Sequence, residues 1–213
     1  MEVYFDLETT SLKESCHILQ LAACTADGRF TFSRYVKPTS QQEIKCLPKS
    51  TRIHNMWFDE STRKMTHHGR DVPYVHVCRC IFEFTVWLWD IKARYGRKVI
   101  LIAHNSKRFD APRLVRAARS AGMLRFFAPV VWGFSDTLPL FRDLYKGQCT
   151  RFRLEDLVAH FLPNASHSAH DARSDAKVLA DIVQVERLSQ WLHHDDYKLS
   201  LRSVLSSLRA RRT

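Results

Sequence analysis

The chain has 213 residues, of which 45% are hydrophobic and 26% charged, values that suit one folded domain and argue against a disordered or fibrous chain. Its longest apolar run, Val99–Ala103, is too short to cross a bilayer. Lys and Arg number 33 against 22 Asp and Glu, which gives a net charge of +11. This balance favours a polyanionic partner such as nucleic acid, although charge alone does not separate nucleic acid from a membrane surface.

The first ten residues, MEVYFDLETT, include three acidic residues, beginning with Glu2, and lack the apolar stretch of a signal peptide. The six cysteines form no CxxC pair and show no repeated spacing. We therefore expect free thiols and an intracellular protein, in the nucleus, the cytoplasm or both.

The N-terminal third predicts three strands. Val3–Asp6 is a short strand, and the nearly continuous apolar run in His17–Cys24 is typical of a central strand. Arg29–Val36 alternates aromatic and polar residues, which predicts a half-exposed strand. Asp27-Gly28 is a hairpin turn signal between the last two. Together they predict an antiparallel meander.

The middle of the chain alternates helices with buried strands. Residues 37–78 hold three prolines and many polar residues, which predicts loops with short helices. Apolar residues at three- and four-residue steps predict a helix over Arg79–Tyr95. Val99–Ala103 is a buried, parallel strand. Ser106 is the expected N-cap of a helix running to Ala121.

The last third begins with a strand at Val130–Phe134 and is otherwise helical. Short helices are expected at Leu138–Tyr145 and Leu154–Leu162, a long one over Ser174–Trp191, and a basic amphipathic segment over Ser203–Thr213. The core stripe of the long helix should comprise Val178, Leu179, Ile182, Val183 and Val185. This order of elements predicts an α/β, three-layer arrangement around one mixed sheet.

Two acidic residues stand at the end of the first strand. Asp6 and Glu8 project to the same face of that strand, because residues two apart share a face. Two adjacent carboxylates repel each other unless a positive charge lies between them, and hard divalent cations with oxygen ligands meet that need. The alternative is an exposed acidic edge of a solvated strand.

A third acid, Asp110, follows the buried strand and opens the next helix. Open α/β sheets place ligands at this position, and the helix macrodipole also favours a carboxylate there. The alternative is an ordinary acid at a helix start.

The fourth acid, Asp175, begins the long helix, with Leu179 and Ile182 continuing its inward face. An aspartate on a core stripe is costly unless it is paired or bound to metal. His170 precedes it on a Ser- and His-rich stretch, from which we expect a mobile imidazole to reach over the site. The alternative is an exposed loop histidine.

Three segments, FDLETT (5–10), HNSKRFD (104–110) and HDARSDA (170–176), occur in this order at strand ends and helix starts. They resemble the DEDDh exonucleases of the ribonuclease H-like superfamily, which include proofreading exonucleases and the TREX enzymes. The resemblance covers about residues 2–190. It is specific because every motif position is filled, by Asp6, Glu8, Asp110, His170 and Asp175.

Smaller segments extend the resemblance. SDTLPL (135–140) is similar to the family's strand-end DTL segment, and RLEDL (153–157) to its following helix. FDL (5–7), QLAA (20–23) and LPLF (138–141) together further resemble the exonuclease-like C-terminal domain of promyelocytic leukaemia protein and its free-standing relatives. One departure is Ser11, where the family usually has glycine, so the terminal-nucleotide loop should differ slightly.

The resemblance implies a ribonuclease H-like fold with a central mixed five-stranded sheet flanked by helices. It implies an exonuclease domain over residues 1–195, with residues 196–213 as a basic C-terminal helix or tail. It further implies 3′–5′ hydrolysis of terminal phosphodiesters, on single-stranded 3′ ends and with DNA favoured, to nucleoside 5′-monophosphates. The four acids would hold two Mg²⁺ or Mn²⁺ ions, and His170 would be the general base.

The resemblance also assigns substrate contacts. Backbone groups near Glu8 and Thr9 would bind the terminal 3′-OH, and Leu12 would wedge against the last base. Around the second segment the expected contacts are Asn105, which orders the site, Phe109, and the candidate phosphate contacts Lys107, Arg108 and Arg113. A solvated helix face is the alternative for the three basic residues.

Two rival interpretations remain open on sequence. The fold could serve as a catalytically silent module that binds nucleic acid or protein, or as a basic interaction domain with incidental acids. The choice between DNA and RNA, between single and double strands, and between monomer and homodimer is also open. So is the role of the basic tail at residues 209–212: a nuclear address, a nucleic-acid contact or a solvated end.

Overall fold

The computed structural model describes residues 1–40, 44–45 and 47–210. Ten strands lie within these residues: β1 (Glu2–Thr9), β2 (Ile18–Thr25), β3 (Thr31–Val36), β4 (Met56–Asp59), β5 (Lys64–His67), β6 (Arg70–Val72), β7 (Tyr74–Val75), β8 (Val99–Ala103), β9 (Val131–Asp136) and β10 (Lys198–Ser200). The same residues contain eight named α-helices: α1 (Leu47–His54), α2 (Val77–Tyr95), α3 (Asp110–Ser120), α4 (Leu124–Phe127), α5 (Thr137–Leu144), α6 (Leu154–Phe161), α7 (Ala172–Val185) and α8 (Leu201–Ala210). A short 3₁₀ turn spans Trp191–His193.

The main sheet is mixed and has the strand order β10-β9-β8-β1-β2-β3-β7. The first three strands form the predicted antiparallel meander, and β8 runs parallel to both β1 and β9. The predicted three-layer α/β architecture with a mixed sheet is therefore confirmed. The predicted strand number, five, is wrong: β7 and β10 add two short strands at the two edges. Strands of two or three residues are too short to leave a periodic pattern in the sequence.

Helices cover both faces of this sheet. On one face α2, α3 and α8 pack over a core that includes Val3, Phe5 and Leu7 of β1. On the other, α5, α6 and α7 pack over a second core that includes Tyr4 of β1 and Ile102 of β8. Because side chains alternate along a strand, Asp6 and Glu8 lie on the face that α7 covers.

Residues 47–75, between β3 and α2, contain more regular structure than their sequence suggested; residues 41–43 and 46 of the same predicted stretch lie outside the described residues. After α1, strands β4, β5 and β6 form a separate antiparallel sheet. A small core of Leu47, Met56, Phe58 and Met65 attaches this sheet to Leu19 of β2. The expectation of loops with short helices was thus incomplete. These strands have only three or four residues each, and the polar residues in them interrupt the apolar alternation that would have predicted a strand.

Two predicted helix boundaries are corrected. Ser106 is not an N-cap: the turn after β8 closes with the Phe109 amide donating to the Asn105 carbonyl (3.0 Å), and α3 begins at Asp110. The helix expected over residues 174–191 ends at Val185, which is 58% exposed and does not belong to the core. Arg187 then turns the chain with a left-handed φ of 53°.

The C-terminal segment packs against the rest of the chain. Strand β10 pairs with β9, and α8 buries Leu201, Val204 and Leu208 against the core shared with α3. Residues 211–213, part of the predicted basic tail, lie outside the described residues. The division at residue 195 stays a prediction.

None of the helices in the described residues combines the length and apolar character needed to cross a membrane. The cysteines in the same part of the chain are unpaired thiols, and Cys46 lies outside it.

The edge strand β10 approaches β9 closely at Gly133. A Cβ added there would lie 2.3 Å from the carbonyl oxygen of Leu199 and 2.9 Å from the Cα of Ser200. We expect Gly133→Ala to lower the free energy of unfolding by about 1–3 kcal/mol in urea titrations. Because β10 must shift, limited proteolysis should also cleave residues 198–210 faster. The control is Gly69→Ala, whose added Cβ meets nothing within 4 Å but whose φ of +73° disfavours alanine, so it measures backbone strain away from β10. Faster cleavage of residues 198–210 in this control as well would contradict the explanation.

Candidate active site

Strand β1 delivers two carboxylates to the face covered by α7. Asp6 is half-buried and Glu8 is buried, and their partners on β2 are Ala22 and Gln20. A parallel neighbour on one side and an antiparallel one on the other hold β1 in the sheet centre. The two acids therefore stand on a rigid element.

Gln20 ties the start of α7 to this strand pair. Its buried amide nitrogen donates to Asp171 Oδ1 (2.8 Å), and its amide oxygen accepts from the Ala172 backbone N–H (3.0 Å). Asp171 is in turn the N-cap of α7. One glutamine thus aligns the helix that carries Asp175 with the strand that carries Asp6 and Glu8.

Both carboxylate oxygens of Asp175 are in hydrogen-bond contact with residues of the preceding loop. The His170 backbone N–H donates to Oδ2 (3.0 Å), and His167 Nε2 lies 2.5 Å from Oδ1. His170 adopts a left-handed φ of 63°, and its exposed side chain also lies 3.9 Å from a Glu155 oxygen. In the described part of the chain, Glu8, His170 and Asp175 each offer a ligand atom within 4.8 Å of the others.

Asp110, the first residue of α3, completes the group. It is only 2% exposed, and its Oδ1 atom is buried without a hydrogen-bond partner among the described residues. Burial raises the pKa of Asp110, and the charge of Asp6 raises it further; the charge of Asp110 in turn adds to the effect of burial on the pKa of Glu8. Glu8, His170 and Asp175 therefore lie within ligand distance of one another, and Asp6 and Asp110 lie close enough for their charges to act on this group.

Burial and mutual repulsion perturb every carboxyl in this group. Burial is the largest cause throughout, followed at Glu8 by the charges of Asp6 and Asp175, and it raises the pKa of Glu8 to about 10. Burial likewise raises the pKa of Asp175 to about 7, although the His170 N–H lowers it in part. Burial and neighbouring carboxylates hold the pKa values of Asp6 and Asp110 well above their usual range.

These features fit a divalent cation site. A cation would relieve the repulsion and the desolvation cost together, and would supply a partner for the unpaired Asp110 oxygen. The donor set is carboxylate oxygen with one imidazole in reach, which suits Mg²⁺ or Mn²⁺ better than soft metals. Asp6, Glu8, Asp110 and Asp175 are the residues that would hold it.

Arg113 organises the loop that follows β1. Its side chain is 5% exposed and donates to the backbone carbonyls of Leu12 (2.7 Å) and Lys13 (2.9 Å), while its Nε lies 3.0 Å from Cys16 Sγ. Its guanidinium also stacks 3.7 Å from the centre of the Phe109 ring. The prediction of Arg113 as a phosphate contact is therefore wrong, because its donors are used inside the protein. The loop it holds presents Leu12, which is 82% exposed.

The other predicted substrate contacts lie around the same opening. Thr9 is buried with its hydroxyl bonded to the Ser11 carbonyl, and Asn105 has a left-handed φ of 62° that shapes the turn before α3. Arg108 is exposed and Phe109 half-buried. The ammonium of Lys107 donates to the Asp196 carbonyl, which occupies at least one of its three donors.

Sequence reasoning missed several supporting residues. Gln20 lies in an apolar strand, and the sequence assigns no role to Asp171 or His167. Asp136 entered the sequence analysis only as part of the segment SDTLPL (135–140). In the structure its carboxylate is the N-cap of α5 and accepts a hydrogen bond from the backbone N–H of Lys107 (2.9 Å). An N-cap pattern at Asp171 and Asp136 was the available signal.

Several solved exonuclease structures share this fold. Exonuclease I matches with a TM-score of 0.64 and 16% identity, over 90% of this chain and 42% of its own. The zinc-bound E. coli exonuclease I–ssDNA complex gives 0.61 and 16%, over 89% and 41%. The nuclease domain of 3′hExo, a DEDDh family member bound to rAMP, gives 0.59 and 13%, over 90% and 92%. The chain thus spans less than half of exonuclease I, and no curated protein matches it in sequence.

The fold is therefore the ribonuclease H-like fold found in DEDDh exonucleases. The chain belongs to the family of the Exuperantia RNAse H-like domain, whose model matches residues 1–159.

The buried Arg113 should matter more to stability than its half-buried neighbour Arg116 on the same helix. We expect Arg113→Ala to lower the free energy of unfolding by about 1.5–3 kcal/mol in urea titrations, because the loop carbonyls lose a charged donor. Arg116, whose ion pair with Glu14 is longer (3.6 Å) and more exposed, is the matched control. Its alanine variant should lose less than about 1 kcal/mol. Equal losses would show that Arg113 does not hold the loop.

The carboxyl cluster predicts a pH-dependent stability that metal reverses. Since the folded-state pKa values of Glu8 and Asp175 are raised, the folded chain retains protons that the unfolded chain releases. In EDTA, stability should be greatest near the ordinary carboxyl pKa of about 4 and should fall as the pH rises through about 7 towards about 10. Mn²⁺ should restore it.

Thermal unfolding between about pH 5 and about pH 9, in EDTA and in Mn²⁺, measures both effects. Asp110→Asn removes one charge at nearly constant shape, so it should flatten the pH dependence in EDTA and weaken the Mn²⁺ effect. A melting temperature that rises with pH in EDTA would contradict the charge repulsion.

Proposed function

We propose that this protein is a metal-dependent 3′–5′ exonuclease that hydrolyses terminal phosphodiesters of nucleic acid to nucleoside 5′-monophosphates. The observation that carries the proposal is the convergence of four carboxylates from three distant segments, with an unpartnered oxygen on Asp110 and the His170 imidazole in reach. Such crowding of buried acids is costly for folding, and catalysis with divalent cations gives it a use.

The exonuclease neighbours support a nucleic-acid substrate. One is a complex with single-stranded DNA and another is bound to rAMP. We favour single-stranded DNA 3′ ends, because the sequence motifs resemble those of DNA-trimming enzymes; an RNA substrate is the alternative. Net charge of +11 suits either polyanion.

The carboxylates of Asp6, Glu8, Asp110 and Asp175 would bind two Mg²⁺ or Mn²⁺ ions. When bound, the ions supply Lewis acidity for the attack on phosphorus and stabilise the leaving 3′ oxygen. His170 takes the proton of the attacking water on its ring nitrogen, since its side chain is exposed above Glu8 and Asp175. The N–H···Oδ2 bond between its backbone and Asp175 holds the loop in place for this step.

The chain end of the substrate would lie against the β1 loop. Exposed Leu12 offers an apolar contact to the last base, and backbone groups at Glu8 and Thr9 face the terminal 3′-OH. Half-buried Phe109 and exposed Arg108 complete the opening, and Asn105 shapes it. Arg113 contributes indirectly by fixing the carbonyls of this loop.

Two finer assignments stay predictions. A nearer relationship to the TREX enzymes and the promyelocytic leukaemia protein domain rests on the short segments at residues 5–7, 20–23 and 138–141. An intracellular location, in the nucleus or cytoplasm, rests on composition and on the form of the N-terminus.

A nuclease assay separates the enzyme from a silent binding module. With Mg²⁺ or Mn²⁺, the protein should release mononucleotides from 5′-labelled single-stranded oligonucleotides, and DNA and RNA versions on one gel give the preference. His170→Ala should slow release by about 10²–10⁴-fold through loss of the proton acceptor, and Asp175→Asn should do so at least as strongly. The matched control is His160→Ala, an exposed histidine on α6, with unchanged rate. Absence of cleavage by the wild-type protein on all substrates would favour the binding module.

A further inference from the structure

Strand β3 is an incompletely covered edge of the main sheet. The short strand β7 pairs only with Tyr35 and Val36, which leaves Thr31–Arg34 open on that side. The Phe30 carbonyl points to β2 and the Lys37 N–H points to β7. Because these directions alternate along a strand, the N–H and C=O groups of Thr31 and Ser33 point away from β2, towards the open side.

Two cavities flank this edge, one towards each face of the sheet. The cavity towards α2 has a volume of about 430 Å³, and the one towards the start of α7 has about 450 Å³. Both are bounded by Ser33, Arg34 and Arg173, so they meet at the open backbone. We refer to the open edge and its two cavities as the β3 groove.

The cavities differ in chemistry. The α2 side is lined by Phe82, Val86 and Trp87, of which Phe82 and Val86 are 53% and 44% exposed and so form a contiguous apolar patch. The α7 side is lined by Tyr35 and by Asp171, whose Oδ1 already accepts a hydrogen bond from Gln20. The guanidinium of Arg173 borders both cavities and makes no hydrogen bond or ion pair with any residue that the structure describes. The α2 side therefore suits an apolar group, and Arg173 offers a charge partner for an anionic group.

We propose that the β3 groove binds an extended segment of a partner polypeptide, which adds a strand beside Thr31–Arg34. Successive side chains of a strand point to opposite faces, so alternate residues would enter the two cavities. The segment would place apolar side chains against Phe82 and Val86 and acidic side chains beside Arg173. This inference does not depend on the proposed nuclease activity.

One carbonyl on the open edge of β3 already accepts a side-chain hydrogen bond, which Arg34 donates. Its guanidinium donates to the Ser33 carbonyl (2.8 Å) and pairs with Glu83 (2.6 Å). An N–H of the incoming strand would replace the first contact, and the flexible arginine could then pair with an acidic residue of the partner. Charged side chains that cover an edge are a known way to prevent indiscriminate strand pairing.

Nucleic acid and a second copy of the chain fit this groove less well. The carboxylates of Glu83 and Asp90 border the α2 side and would repel phosphates. Two copies would bring together chains of net charge +11, and would set Arg34 and Arg173 of each against the other edge. A polypeptide with acidic side chains satisfies both the backbone groups and the charge.

A displayed library of randomised peptides tests the proposal. It is selected on the wild-type protein and counter-selected on Phe82→Glu, an exposed position that should fold normally. Enriched peptides should alternate apolar and acidic residues. Their binding, measured by fluorescence anisotropy, should weaken about tenfold or more in Phe82→Glu and in Arg173→Glu. It should be unchanged in the matched controls Val185→Glu and Arg202→Glu, which are exposed residues outside the groove.

Backbone N-methylation of a selected peptide distinguishes strand addition from other modes. Methylating one alternate set of amides should abolish binding, and methylating the other set should not. Failure to enrich any peptide, affinity unchanged in both groove variants, or equal effects of the two methylated sets would overturn the proposal. Sedimentation that shows a dimer of the wild-type protein but a monomer of Phe82→Glu would also overturn it. The same holds if a single-stranded dT oligonucleotide displaces the peptide and binds Phe82→Glu more weakly than wild type. These outcomes identify a second copy or nucleic acid as the occupant.

Discussion

Four buried or half-buried carboxylates, those of Asp6, Glu8, Asp110 and Asp175, repel one another. The elements around them are arranged to hold them together against this repulsion. Burial and neighbouring charge raise the pKa of Asp6, Glu8, Asp110 and Asp175 together. A chain under no other demand would separate these groups, because each buried charge without a counter-ion costs several kcal/mol. Their convergence is the basis of our proposed active site, and the surrounding elements must resist the tendency of the acids to move apart.

Three side chains that are not part of the cluster provide that resistance. Gln20 joins β2 to the start of α7, Asp136 holds the turn before α3, and Arg113 ties α3 to the loop after β1. Each is buried and makes hydrogen bonds to backbone or to a capping residue, so each fixes the direction of an element. The acids themselves are left with few internal partners, as the unpaired oxygen of Asp110 shows. This division of roles leaves the acid cluster available for the ions and substrate that we propose.

The start of α7 also connects the two surfaces of the protein that bind other molecules in our proposals. Asp171 contacts Gln20 beside the acid cluster and lines the cavity on the α7 side of the β3 groove. A polypeptide in that groove would therefore lie next to the helix that carries Asp175 without touching the acids. If both proposals hold, such a position allows a partner to bring the protein to a nucleic-acid end while the acid cluster stays accessible.

The sequence by itself determined the α/β layering, the N-terminal meander and the residues of the acid cluster. Alternation in β1 and helical spacing in α7 are local, and both placed their acids on identifiable faces. Only the tertiary structure decided the edges and the supports. The strands β4–β7 and β10 are too short to have a pattern of their own and exist because the sheet and a small apolar core stabilise them. The sequence suggested a surface role for Arg113 and gave no role to Gln20. The local sequence around a long polar side chain does not show whether that side chain contacts solvent or a distant backbone group. Which of the two it meets depends on residues about a hundred or more positions away along the chain, and such contacts form only when the whole domain packs.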